Sequence, residues 1–125
     1  MNEGAARKKV LVFDDSPLVL AVTQVALERE GFSVATAADL TAFESARAEL
    51  SPDLILVDVQ MPEAFGDDVA STLRGLRGVE VPILLVSNLE DAELERRAID
   101  AEVEGWVSKR AGLPELVRRV KELLS

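Results

Sequence analysis

Five short apolar runs recur along the chain: Val10-Leu11-Val12-Phe13, Phe32-Ser33-Val34-Ala35, Leu54-Ile55-Leu56-Val57, Ile83-Leu84-Leu85-Val86 and Gly105-Trp106-Val107. Blocks rich in Val, Ile and Leu with no polar alternation read as strands covered on both faces. Between them lie segments of helical length with their own start and stop signals. Ser16 followed by Pro17 is an N-cap and first turn, and Gly31 closes that first helix after Glu30. Asp39 or Thr41 caps the second; in the latter case Glu44, three residues on, completes a capping box. A third helix begins near Gly66 and frays around Gly75 and Gly78. The fourth, about Asp91 to Ala101, has a thin apolar stripe of Leu94, Ala98, Ile99 and Ala101. The fifth has a strong one, Leu113, Leu116, Val117, Val120, Leu123 and Leu124, at helical spacing.

Strands alternating with helices predict an α/β domain: a five-stranded parallel sheet with five helices on both faces. Right-handed crossovers and a chain of 125 residues favour the flavodoxin-like strand order 2-1-3-4-5. Residues 1–9 read as a short polar lead-in and residues 10–125 as a single domain. No apolar run approaches the roughly 18 residues of a membrane span, and the polar start at Met1–Lys9 is no secretory signal, so a cytoplasmic protein is expected.

Composition narrows the chemistry. The chain has 23 acids against 14 bases, a formal charge of −9, which argues against a general nucleic-acid binder, since that needs a basic stripe. It has no histidine and no cysteine. That removes Ser-His and Cys-His nucleophiles, disulfides, thiolate redox chemistry and imidazole metal sites. Carboxylate, hydroxyl and lysine chemistry remain, with hard cations bound by oxygen.

In an open parallel sheet, sites form outside the carboxyl ends of the strands. Strand one ends in Asp14-Asp15, strand three in Asp58, strand four in Ser87-Asn88 and strand five in Ser108-Lys109. One such Asp is commonly a helix cap or turn former, and one Lys a solvated charge. Four separate strands delivering them to one rim is a different matter. Clustered carboxylates raise each other's pKa unless a cation neutralises them. Magnesium suits oxygen-only ligands, keeps several waters, and pairs one or two carboxylates with a phosphate oxygen. A carboxylate beside it can act as a nucleophile and form an aspartyl phosphate. The three equatorial phosphoryl oxygens would then meet the metal, the Lys109 ammonium, and the Ser87 hydroxyl with a backbone N–H.

With these residues in place the sequence resembles the receiver domain of bacterial two-component response regulators, of the chemotaxis-regulator-like kind, over about Lys8 to Leu124. The matching pieces are VLVFDDS (Val10–Ser16), PDLILVDVQMP (Pro52–Pro62), the Gly66 beyond them, PILLVSN (Pro82–Asn88) and GWVSK (Gly105–Lys109). The resemblance implies that Asp58 is the phosphoacceptor and that Asp14, Asp15, Asp58 and the Gln60 backbone carbonyl hold Mg2+. It implies Ser87 as switch hydroxyl, the Asn88 backbone N–H and Lys109 as phosphate partners, and Trp106 at the aromatic switch position. Gln60 and Leu89 occupy the positions that tune dephosphorylation, and an apolar Leu89 implies a long-lived phosphoryl group. The implied role is a phosphorelay switch in signal transduction, no enzyme beyond its own phosphorylation and slow autodephosphorylation. A histidine kinase or phosphotransfer protein is the implied donor, and the chain has no histidine of its own to donate from.

Three positions depart from the family pattern. Asn88 stands where a small residue is usual, Arg110 replaces the customary proline after the lysine, and Trp106 is bulkier than the usual Tyr or Phe. A cis bond before a non-proline residue costs roughly 2.5–4 kcal/mol, so a trans Lys109–Arg110 peptide and a reshaped loop are expected. For Trp106, packing against the fourth helix stands beside the switch role. Phosphorylation adds about −1.5 to −2 charge, and the implied response is a repacking of the face formed by helix four, strand five and helix five. Residues 90–104 carry seven acids against Arg96 and Arg97, and residues 109–125 five bases against Glu115 and Glu122. Ion pairs on a solvated face are one account; docking of a downstream protein or a second copy is the other. A phosphatase of the haloacid dehalogenase type would want Asp-x-Asp where this chain has Asp14-Asp15-Ser16, and an FMN binder a Ser/Thr/Gly loop with aromatic flanks. The remaining alternative is a receiver-like interaction module that is never phosphorylated.

Overall fold

In the computed structural model, residues 7–60 and 80–124 are described. Their elements, in order, are β1 (Lys9–Phe13), α1 (Pro17–Arg29), β2 (Ser33–Ala37), α2 (Leu40–Leu50), β3 (Leu54–Asp58), β4 (Ile83–Ser87), α3 (Asp91–Asp100), β5 (Gly105–Ser108), a 3-10 turn (Lys109–Ala111) and α4 (Leu113–Leu124). The five strands form one sheet in the order β2-β1-β3-β4-β5, all neighbours parallel, as the alternation of runs predicts. Four α-helices lie among the described residues. The helix expected from Gly66 to about Gly78 falls outside them, so α3 and α4 are the fourth and fifth of the sequence pattern.

Successive strand residues point to opposite faces, and the core divides accordingly. Leu11, Phe13, Ile55, Val57, Ile83 and Leu85 pack with Phe43 of α2 and with Leu94, Ala98 and Ala101 at α3. Val10, Val12, Leu54, Leu56, Leu84 and Val107 pack on the other face with Leu20 and Leu27 of α1 and Leu116 and Val120 of α4. The Phe13 and Phe43 rings stack with centroids 4.6 Å apart, fixing α2 over β1. Central β3 is buried throughout, whereas β2, at the edge, is only half-buried along most of its length.

The local signals resolve in detail. Ser16 caps α1, its Oγ accepting from Val19 N–H, and Gly31 takes φ +96° just past the helix end, a conformation that favours glycine. Asp39, and not Thr41, caps α2: its Oδ1 accepts from Ala42 N–H at 2.8 Å. Thr41 lies inside the helix, so no capping box forms with Glu44. The second strand starts one residue later than the apolar run and extends to Ala37, because its register follows β1, pairing Lys9 with Ser33 and Phe13 with Ala37. On α3, Ile99 leaves the stripe expected of it and is 69% exposed, while Leu94 and Ala98 carry the packing. No helix among the described residues is long and apolar enough to cross a membrane.

Candidate functional site

Parallel strands in this order bring the carboxyl ends of β1 and β3 side by side, with β4 and β5 beyond. Asp14 follows β1, and its N–H donates to the Ala37 carbonyl, so the chain leaves the sheet only after this residue. Its carboxylate is buried, and Oδ1 accepts from Ser16 N–H at 2.9 Å, an Asx turn leading into α1. Asp15 is exposed at the rim. Asp58 ends β3, only 5% exposed, with Oδ1 accepting from Gln60 N–H at 3.1 Å. Carboxylate oxygens of Asp14, Asp15 and Asp58 lie within 4.8 Å of one another.

Lys109, first residue of the 3-10 turn, reaches back over this cluster. Its Nζ stands 2.9 Å from Asp14 Oδ2 and 3.4 Å from Asp58 Oδ2. One ammonium between two buried carboxylates leaves the group short of positive charge. Burial pushes the Asp58 carboxyl above its ordinary range; the Gln60 N–H opposes this, the Asp14 charge adds to it, and Lys109 pulls back. Burial alone would lower Lys109, but its bonds and attraction to Asp14 and Asp58 prevail and hold the ammonium above its usual range.

Ser87, fully buried at the end of β4, bridges two loops: Oγ donates to Gln60 Oε1, past β3, at 3.1 Å and accepts from Leu89 N–H, past β4, at 3.2 Å. Asn88 is exposed beside it. Leu89 is part-buried and packs against the core on the α2–α3 face. Trp106 is half-buried and joins the same cluster as Leu94, Ala98 and Ala101, so it packs against the α3 side of the sheet. The Lys109–Arg110 peptide is trans, there being no cis bond among the described residues. The chain after β5 turns through a 3-10 segment and Gly112 at φ +89°.

Two contacts were not legible from residue types. Gln60 meets Ser87 through its side chain. Arg110, one position past the lysine, spans to Leu89, Glu90 and Asp91. An arginine where the receiver pattern carries proline was the available signal for the second.

A doubly wound sheet in this order, with three carboxylates and a lysine gathered where β1 and β3 end, is the layout of a signalling receiver. The chain belongs to the response regulator receiver domain family, whose model matches residues 10–121, and so to two-component signalling. It is 35% identical to the transcriptional regulatory protein PrrA of Mycobacterium tuberculosis over 124 residues, covering 99% of this chain and 53% of PrrA. It is 32% identical over 112 residues to the transcriptional regulatory protein KdpE of the same species, covering 90% of this chain and 49% of KdpE. The chain thus spans about half the length of the curated relatives it matches. Among solved structures it is similar to a response regulator signal receiver domain from Bermanella marisrubri, with TM-score 0.84, 26% identity, and 95% and 99% of the two chains covered. Chemotaxis protein CheY4 of Vibrio cholerae shares the fold, with TM-score 0.84 at 24% identity over 94% of this chain and 98% of that one.

Proposed function

We propose that this domain accepts a phosphoryl group on Asp58 from a phosphohistidine of a partner kinase or phosphotransfer protein, in the presence of Mg2+. The observation that carries the reading is the convergence of three carboxylates within 4.8 Å, two of them buried and sharing one ammonium. Oxygen donors at that spacing, with a surplus of negative charge, fit a hard divalent cation. Asp14, Asp15, Asp58 and the Gln60 carbonyl would hold it, and when bound it would neutralise developing charge on the phosphoryl oxygens.

This chain's own residues do the rest. An oxygen of the Asp58 carboxylate attacks phosphorus; the P–O bond forms as the P–N bond to the donor histidine breaks, and that electron pair returns to the imidazole nitrogen. The Gln60 N–H on Oδ1 fixes the carboxylate so that the other oxygen, now beside Lys109, faces the donor. Lys109 then pairs with a phosphoryl oxygen, which is easier for an ammonium already desolvated and positioned. Ser87 Oγ gives up Gln60 and Leu89 and turns to another oxygen. The loop it belongs to leads into α3, and Trp106 beside α3 feels the change, so the face of α3, β5 and α4 repacks for a downstream protein or a second copy.

Trp106 is the chain's one tryptophan. Its fluorescence, followed during titration with Mg2+ and then beryllofluoride, tests the reading. A saturable change that Asp58→Asn abolishes is expected. No response to either, with no phosphate incorporated from a small phosphodonor, overturns it in favour of an unphosphorylated interaction module.

A further inference from the structure

Lys109 and Arg110 are adjacent but face opposite ways. Lys109 points inward to Asp14 and Asp58. Arg110 points outward over the loop between β4 and α3, where its Nη2 donates to the Leu89 carbonyl at 3.0 Å. Glu90 and Asp91, at the start of α3, flank the same guanidinium at 3.3 Å each. The arginine is itself held: buried Ser108 Oγ accepts from both its backbone N–H, at 3.1 Å, and its Nε, at 3.2 Å. Ser108 is the β5 partner of Ser87 in the sheet register.

Leu89 is therefore fixed at both ends of its backbone. Its N–H donates to Ser87 Oγ and its carbonyl accepts from Arg110. Resting on the phosphoacceptor reading above, we propose that Arg110 is a positioning residue: a latch that holds the β4–α3 loop, and through Leu89 the Ser87 hydroxyl, in the resting arrangement. Turning Ser87 toward a phosphoryl oxygen on Asp58 breaks its bond to Leu89 N–H, and the loop can follow only when the carbonyl on the other side is free to move. Proline at this position would have neither the N–H that binds Ser108 nor a guanidinium to reach Leu89. The customary family residue thus leaves the loop unlatched, whereas this chain ties it.

The ion pairs to exposed Glu90 and Asp91 contribute little; the bond to the Leu89 carbonyl, oriented by Ser108, carries the effect. Losing that one bond from the resting state tightens apparent affinity for a phosphoryl mimic about three- to fivefold.

The test compares the unsubstituted chain with Arg110→Ala, Arg110→Pro and Arg110→Lys by calorimetric titration of beryllofluoride at saturating Mg2+. Ala and Pro should bind about three- to fivefold tighter, and Lys, which keeps the charge without the oriented fork, should fall between. Simple loss of structure would weaken binding, so a gain separates the latch from damage to the fold. Equal or weaker binding by Ala and Pro, with the unsubstituted chain binding normally, overturns the latch and leaves the phosphoacceptor reading intact. Should the unsubstituted chain not bind at all, that reading fails, and amide hydrogen exchange decides the latch alone. Exchange at Leu89 should then be at least about threefold faster in Arg110→Ala, and an unchanged rate overturns it.

Discussion

Asp58→Asn removes a charge from a side chain that is 5% exposed and keeps its shape and an oxygen for the Gln60 N–H, while its amide NH2 replaces the Oδ2 that accepts from Lys109, so its effect on the metal-free fold is mainly electrostatic. The Gln60 N–H keeps an oxygen acceptor in the variant, so three effects change with the charge. Attraction between Asp58 and Lys109 at 3.4 Å amounts to about 5 kcal/mol with an effective dielectric constant of about 20. Repulsion from Asp14, within 4.8 Å, returns about 3.5 kcal/mol or more on the same scale. The remainder, at most about 1.5 kcal/mol, is smaller than the several kcal/mol that desolvating a buried ion costs. The charged form is thus disfavoured on balance, which agrees with a carboxyl held above its ordinary range. Asp58→Asn should stabilise the metal-free protein by about 1–3 kcal/mol at neutral pH.

The pH dependence carries the sign. A carboxyl whose folded pKa is raised destabilises the fold above that pKa, and the penalty disappears as pH falls below the unfolded value of 3.8. Urea unfolding with a chelator present should show the gain at neutral pH and its loss below pH 3.8. Saturating Mg2+ should narrow the gap at neutral pH by favouring the intact carboxylate cluster. An asparagine variant less stable at neutral pH, or a gap that persists unchanged in acid, would show that the Asp58 charge does not destabilise the metal-free fold.

Lys109→Met leaves two buried carboxylates without their shared cation. It should cost the metal-free fold about 1–3 kcal/mol in urea unfolding, less than for a fully buried pair because the lysine is part exposed. It should also tighten Mg2+ binding in calorimetry by removing a competing positive charge, and weaker binding would contradict this. Leu94→Ala empties a fully buried position under α3 and should cost about 2–5 kcal/mol; a loss well under that range would mean that Leu94 does not anchor the helix. Gly105→Ala places a Cβ 2.5 Å from Arg119 Nη2 and 3.3 Å from Leu84 Cδ1. The guanidinium is the far end of a flexible side chain, so the cost should stay near about 1 kcal/mol, with loss of the Arg119 bond to the Trp106 carbonyl. A much larger loss would show that Arg119 cannot give way.

Strand order was legible because it rests on alternation of apolar runs with helical segments, a pattern tolerant of errors in boundaries. The acidic cluster was legible for a related reason: Asp14, Asp15 and Asp58 end strands that the topology makes neighbours, so placement on the chain dictates placement in space. Lys109 follows by the same logic from β5. What escaped is side-chain direction. Ile99 directly follows Ala98 and so lies about 100° round the helix from it, outside the stripe of Leu94 and Ala98, and it points to solvent. Thr41 and Asp39 are both good caps, and only the start of α2 at Leu40 chooses between them. The reach of Arg110 to Leu89 depends on the turn after β5, and residue identity told only that proline was missing.

Asp58 is the proposed phosphoacceptor. Incubation with Mg2+ and acetyl phosphate, followed by intact-protein and peptide mass spectrometry, tests it directly. One phosphoryl group located on the peptide containing Asp58, dependent on Mg2+ and absent from Asp58→Asn, is the expected result. No incorporation, or incorporation that survives Asp58→Asn, would contradict the claim.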